Sequence, residues 1–217
     1  MKRKTLFIGS AALLLLVFIL AALLYKSGRT DPSAQTAERN RSVLVRMHSP
    51  TLGKPDAKVH IVEFLDPACE TCRSFYPFVK KMLAANPEKI RVSVRYAPFH
   101  NGSDYVVKVL EATRKQGRYW EALEALLAAQ PDWAPHHTPQ PQSVWKHLGG
   151  LGLDIEQVRR DMNSPEIAAI IEQDIRDARA MSVTMTPEFF VNGRPLPSFG
   201  YEQLKNLVDE ALAAAYR

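Results

Sequence analysis

Cysteine is nearly missing from this chain of 217 residues: there are two, Cys69 and Cys72, three positions apart in "EFLDPACETCRSFYP" (63–77). A structural zinc site needs four ligands, typically two such pairs or one pair with spaced histidines. The six histidines (His48, His60, His100, His136, His137, His147) show no metal-ligand spacing, and the adjacent pair His136 and His137 sits in a proline-rich loop. No structural metal is expected. Covalent haem attachment needs His directly after the second cysteine, where this chain has Arg73. A disulfide kept only for stability would gain little here, because stabilisation grows with the size of the closed loop. Reversible dithiol–disulfide chemistry is left. Its competitor is a binding module that holds a soft ion such as Cu(I) on two thiolates, although no Met or His cluster accompanies the pair to tune such a site.

Net charge is also missing where a domain would carry it. Residues 1–42 hold seven Lys or Arg against Asp31 and Glu38, which accounts for the whole excess of +5; the other 21 basic and 21 acidic residues cancel. The folded part therefore gives no electrostatic support for nucleic-acid binding. Internal repeats and low-complexity tracts are absent.

What the sequence does have is one long apolar run. "MKRK" precedes Leu6 to Tyr25, twenty residues without a charge. At about 1.5 Å per helical residue the run covers about 30 Å, a full hydrocarbon core. It ends in Leu23, Leu24 and Tyr25, a poor signal-peptidase site, so an uncleaved anchor is expected, with a cut near Ala22 as the alternative. The basic residues before it favour a cytoplasmic N-terminus. Everything beyond Lys26 would then lie in an oxidising space outside the inner membrane, the periplasm or its equivalent. Residues 26–42, polar and without periodicity, read as a flexible tether, leaving 43–217 as one domain.

Within that domain "VLVRMH" (43–48) has strand composition. "KVHIVEFLD" (58–66) reads as a strand buried on both faces, ended by Asp66 and Pro67. A helix is expected from about Cys69 to Ala85, with Phe75, Phe78, Val79 and Met82 on a helical period. A second strand follows in "KIRVSVRYAPF" (89–99). Residues 103–182 read as a block of helices interrupted by the proline-rich "PDWAPHHTPQP", with Trp120, Trp133 and Trp145 as core residues. Strand chemistry returns in "EFFVNGRPL", where Asn192-Gly193 signals a hairpin. A last helix carries Leu204, Leu207, Val208, Ala211 and Leu212. The order describes a small sheet with an all-helical insertion.

A helix beginning near Cys69 would set that thiol over unpaired backbone N–H groups and the positive end of the helix dipole, both of which favour a thiolate. Cys72, one turn deeper on the same face, is near enough for a disulfide. Cys69 is the expected nucleophile and Cys72 the resolving thiol, which attacks a mixed disulfide and frees the product.

Taken together, Glu63 six residues before Cys69, Phe64, the C-x-x-C pair, Pro77, "RYAPFH" (95–100) and "TPEFFVNGRPL" (186–196) resemble the DsbA-like branch of the thioredoxin fold. The resemblance covers about residues 43–214. It implies an α/β thioredoxin fold with an inserted all-helical domain (about 103–182), preceded here by the N-terminal transmembrane helix. It implies a cis Thr186–Pro187 bond beside the sulfurs, a loop on which an extended substrate chain would pair with Thr186. It also implies that Glu63, a carboxylate beneath the dithiol, exchanges a proton with Cys72. His100 is expected to be structural. No cofactor beyond the redox disulfide is implied.

Glu70 and Thr71 depart from the His- or Pro-containing dipeptides of the family's well-known oxidases. An acid beside Cys69 is expected to raise its pKa and make the disulfide less oxidising. Thr186 is similar to the residue preceding the cis proline in isomerase and reductase relatives. Those isomerases carry an N-terminal dimerisation domain, which a 17-residue tether (26–42) cannot supply, so a monomer is expected. The leading expectation is an oxidase of exported proteins, reoxidised by a quinone-linked membrane partner resembling DsbB. The alternative is a reductase or isomerase kept reduced by a membrane electron carrier.

Overall fold

The computed structural model describes residues 14–20 and 32–217. Most of the span expected over Leu6–Tyr25 lies outside the described residues. Residues 14–20 are helical with exposed side chains, and among the described residues no helix is long and apolar enough to cross a membrane.

The expected tether is corrected from residue 32 onward. Pro32–Leu44 forms helix α1. Its sequence is rich in Ala, Gln, Glu and Arg, good helix formers, with proline at the first position, where a missing N–H is harmless. It lacks an apolar stripe, and polar contacts hold it instead. Asn40 Nδ2 donates to the Gly193 carbonyl at 2.8 Å and Arg41 Nε to the Asn192 carbonyl at 3.1 Å. The strand expected over 43–48 is also corrected. Leu44 closes α1 with its side chain in the core, and the first strand, β1, is Thr51–Gly53 within the Pro-Gly cluster.

The remaining strands are β2 (Val59–Leu65), β3 (Ile90–Tyr96), β4 (Glu188–Val191) and β5 (Arg194–Pro195). They form one sheet in the order β1-β3-β2-β4-β5. Only the β2/β3 pair is parallel, with Glu63 opposite Val94; β4 runs antiparallel to β2, with Phe64 opposite Glu188. All seven residues of β2 are buried, as expected of a central strand covered on both faces.

Helix α2 (Glu70–Ala85) and the last helix, α8 (Tyr201–Ala215), cover one face. Phe75 and Val79 pack there with Leu204, Leu207 and Val208 on Val59, Ile61, Val92 and Phe189. On the other face Leu44 and Ala178 pack on Val62, Phe64 and Phe190.

Between β3 and β4 lies the helical insertion: α3 (Ser103–Arg114), α4 (Tyr119–Ala128), α5 (Gln130–Trp133), α6 (Ile155–Asp161) and α7 (Pro165–Ala180), with two 3₁₀ segments between α5 and α6. A buried ion network fastens it to the sheet. Arg95 pairs with Asp174 at 2.7 Å and with Asp177 at 2.5 Å, and Arg46 binds Asp177 through two 2.8 Å bonds. Arg95 also donates to the Val43 and Leu44 carbonyls, so the end of α1 belongs to the same network.

Candidate active site

Strand β2 delivers its chain to a tight turn at Asp66-Pro67-Ala68, and this turn sets Cys69 at the mouth of α2. The Asp66 carboxylate organises it. Oδ1 accepts the Ala68 N–H at 2.8 Å, while Oδ2 accepts the His100 N–H at 2.9 Å and lies 2.7 Å from His100 Nδ1. The Cys69 N–H donates to the Asp66 carbonyl at 3.0 Å. From the insertion, the Gln130 amide donates to the Pro67 carbonyl at 2.7 Å and the Cys69 carbonyl at 3.0 Å. Six polar contacts therefore fix the four residues 66–69.

Cys69 is the N-cap of α2, with extended backbone, and Cys72 lies in the first turn. Both are free thiols in this structure. Cys69 is 4% exposed and Cys72 is 0% exposed, so an incoming chain meets Cys69 first. The Cys69 thiol is pushed down to about 5. A hydrogen bond from the Cys72 thiol does most of this, against burial, which opposes it; the Thr186 side chain and the backbone N–H groups of Cys72 and Thr71 add to it. Thr186 acts both ways, because its carbonyl accepts the Cys69 S–H at 3.1 Å and so also favours the neutral thiol. The net direction is towards thiolate, since three other donors face the sulfur. Cys72 goes the opposite way. Burial, its bond to Cys69 and the charge of Glu63 push it well above the ordinary thiol range.

The expectation that Glu70 raises the Cys69 pKa is not met. Its carboxylate points across the rim, 3.9 Å from His137 Nε2. The helix-mouth donors set the sulfur's charge instead.

Glu63 stands beneath the pair, 1% exposed, with Oε1 lacking any hydrogen-bond partner. Burial first, and then the charge of Cys69, raise it to about 8. The Thr186–Pro187 bond is cis. Antiparallel pairing of β4 on β2 brings this loop beside Cys69. Cys69, Cys72, Glu63, Thr186 and Pro187 thus converge. Among the described residues no group of three or more His, Cys, Asp or Glu side chains is placed to hold a metal ion.

Three contributors were not read from the sequence as parts of the site. Asp66 looked like a strand terminator; the Asp-Pro pair ahead of a helix was the available signal, since such a carboxylate bonds its own backbone two residues on. Gln130 looked like a helix end, and no local signal marks it. His137 was set aside in its loop, yet its ring stacks on His100 with centroids 5.0 Å apart and planes 11° from parallel. His100 is structural, as expected, through Asp66.

A thioredoxin family model matches residues 46–210. A thioredoxin-like oxidoreductase from Silicibacter pomeroyi DSS-3 is 32% identical, with a TM-score of 0.70 over 81% of this chain and 98% of that one. Oxidised BdbD from Bacillus subtilis is 24% identical, with a TM-score of 0.67 over 76% of this chain and 94% of that one. The Bacillus subtilis disulfide bond formation protein D is 26% identical over 75% of this chain and 77% of its own length. The Na+/H+ antiporter NhaA of Herminiimonas arsenicoxydans is 29% identical over 66% of this chain, a match that spans only 22% of the antiporter. With a dithiol built in this way and a family match over three quarters of its length, the chain belongs to the thioredoxin family, as a DsbA-like thiol:disulfide oxidoreductase.

Proposed function

We propose that this oxidoreductase works as an extracytoplasmic, membrane-tethered oxidase that passes its Cys69–Cys72 disulfide to exported proteins. The observation that carries the reading is the depressed Cys69 thiolate, at about 5. A stabilised thiolate stabilises the reduced protein and so makes its disulfide the stronger oxidant. Thioredoxin, with its thiol near 7, stands at about −270 mV, and DsbA, with its thiol near 3.5, at about −120 mV. A thiol at about 5 supports a potential between these two. The name of the 26% identical relative, disulfide bond formation protein D, agrees with that direction.

In this mechanism a substrate thiolate attacks Cys69 Sγ, and the Cys69–Cys72 bond breaks as the mixed disulfide forms. Cys72 leaves as a thiolate, and its high proton affinity draws the proton held by Glu63, a neutral acid at neutral pH. A second substrate thiolate then attacks the substrate sulfur of the mixed disulfide and expels Cys69 as its stabilised thiolate. The substrate leaves oxidised by two electrons, and the protein is left as the dithiol. Thr186, on the cis-proline loop, pairs with the substrate backbone during the exchange. A quinone-linked membrane oxidoreductase resembling DsbB restores the disulfide, and the protein acts as a monomer.

The test is the equilibrium potential of the pair against glutathione, with oxidation of a reduced, unfolded substrate. A value above about −200 mV is expected. Cys69→Ser should abolish oxidation, and Cys72→Ser, offered the same substrate in its disulfide form, should trap a mixed disulfide through Cys69. A potential near −270 mV would instead favour a reductase fed by a membrane electron carrier. Unchanged exchange in both variants, with loss of a bound soft metal, would favour a binding module.

A further inference from the structure

The end of β2 remote from the dithiol bears a cavity of about 220 Å³ that the thiol chemistry does not use. From His60 to Leu65 the strand rises roughly 17 Å, so the two sites are separate. Leu44, Val62 and His60 form a buried floor, and three cations, Arg41, Lys58 and Arg91, line the walls with no acidic side chain among the lining residues. Arg41 reaches Glu38 at 3.3 Å on the exposed rim. The other two have no carboxylate partner among the described ion pairs. Lys58 Nζ lies 3.4 Å from the Ala215 carbonyl and over the Tyr216 ring, and Arg91 Nη1 donates to the Pro55 carbonyl at 3.2 Å.

Two further observations bear on this positive charge, which is left without a carboxylate at Lys58 and Arg91. The Arg91 Nε–H is buried with no acceptor, a state proteins seldom leave uncorrected. His60 is held neutral, down at about 4, by its burial and then by the nearby Arg91 and Arg41 charges; its Nε2 lies 2.8 Å from Ser93 Oγ.

We propose that this cavity is an oxyanion site, in which Arg41, Lys58 and Arg91 close on a phosphate group that supplies the acceptor missing at Arg91 Nε. A guanidinium fork matches two phosphate oxygens, and an ammonium adds a point charge. The volume, well above what one water needs, holds a tetrahedral oxyanion with part of its hydration. The phosphate comes either from solution or from an anionic phospholipid headgroup, since α1, which contributes one wall, follows the segment read as a membrane span.

The experiment uses the full chain in neutral detergent, titrated calorimetrically with inorganic phosphate against chloride at matched ionic strength. Phosphatidylcholine vesicles with and without phosphatidylglycerol are then added as competitors. One saturable phosphate site is expected. Lys58→Met and Arg91→Met should each weaken it by about tenfold or more, while Arg159→Met, on α6, leaves it unchanged. Lys58 is exposed, so its loss of binding cannot be ascribed to misfolding. The His60 titration, followed by NMR, should move up from about 4 on saturation. Displacement of phosphate by phosphatidylglycerol vesicles alone assigns the site to headgroups, and its failure assigns it to the free ion; either supports the chemistry. Phosphate no better than chloride together with phosphatidylglycerol no better than phosphatidylcholine, or wild-type binding in both variants, overturns it.

Discussion

Cys69 and Glu63 are displaced in opposite directions, and this has a measurable consequence for stability. In the reduced protein the Cys69 thiol is pushed down from 9.0 to about 5, so its contribution is present above the unfolded value and lost as pH falls through 5. Glu63 is raised from 4.5 to about 8, so its contribution is present below 4.5 and lost as pH rises through 8. Between 5 and 8 the two slopes cancel, each being about 1.4 kcal/mol per pH unit. Glu63→Gln should therefore become more stable relative to the reduced wild type as pH rises across this window, and Cys69→Ser less stable. Parallel curves for either variant, from urea unfolding at several pH values, would show that its group titrates normally. The same Glu63→Gln change should slow disulfide transfer at neutral pH, because Cys72 then leaves without a proton donor. An unaltered rate would remove Glu63 from the mechanism. At this scale the sequence was informative for chemistry carried by neighbours in the chain. The helix-mouth thiolate follows from C-x-x-C beside a strand end. The Gln130 clamp and the His100–His137 stack join residues far apart in sequence, and no local pattern encodes them.

Among the elements, those carried by apolar periodicity were legible and those carried by polar or distant contacts were not. β2 announces itself through Val59, Ile61, Val62, Phe64 and Leu65, all buried. The Asn192-Gly193 turn is equally plain, with both residues at positive φ, 49° and 83°. Helix α1 escaped because "AQTAERNRS" has no stripe, its order depending on Gly193, Asn192 and the Arg95 network. β1 escaped because three residues of Thr-Leu-Gly become a strand only when β3 is present to pair with them. Gly193 tests the docking of α1. A Cβ there would collide with the Ala37 carbonyl oxygen, and the position is left-handed. Gly193→Ala should cost about 1–3 kcal/mol and raise the hydrogen-exchange rates of the α1 amides. Asn40→Ala, which leaves the turn alone, should raise the same rates by removing one bond. If both variants protect α1 as the wild type does, the helix is held by something other than the hairpin.

For the molecule as a whole, the dithiol lies inside a core shared by the sheet and the insertion. Cys69 and Cys72 belong to the same buried cluster as Leu65, Val94 and Tyr96 of the sheet region and Val106, Leu110, Leu126 and Trp133 of the helices. Gln130 then ties the insertion to the very carbonyl of Cys69. An insertion packed in this way cannot melt without uncovering Cys72, so the two should unfold together despite the sequence's appearance of a separate helical block. All three tryptophans lie within the insertion, which makes the point measurable. In Cys69→Ser, where Cys72 is the one remaining thiol, alkylation of Cys72 across a urea gradient should follow the loss of tryptophan fluorescence with the same midpoint. Alkylation at clearly lower urea would mean that α2 opens while the insertion stands, making the two separate cooperative units. Coincidence would mean that the sulfur chemistry is supported by the full core, with Cys69 alone presented at its edge.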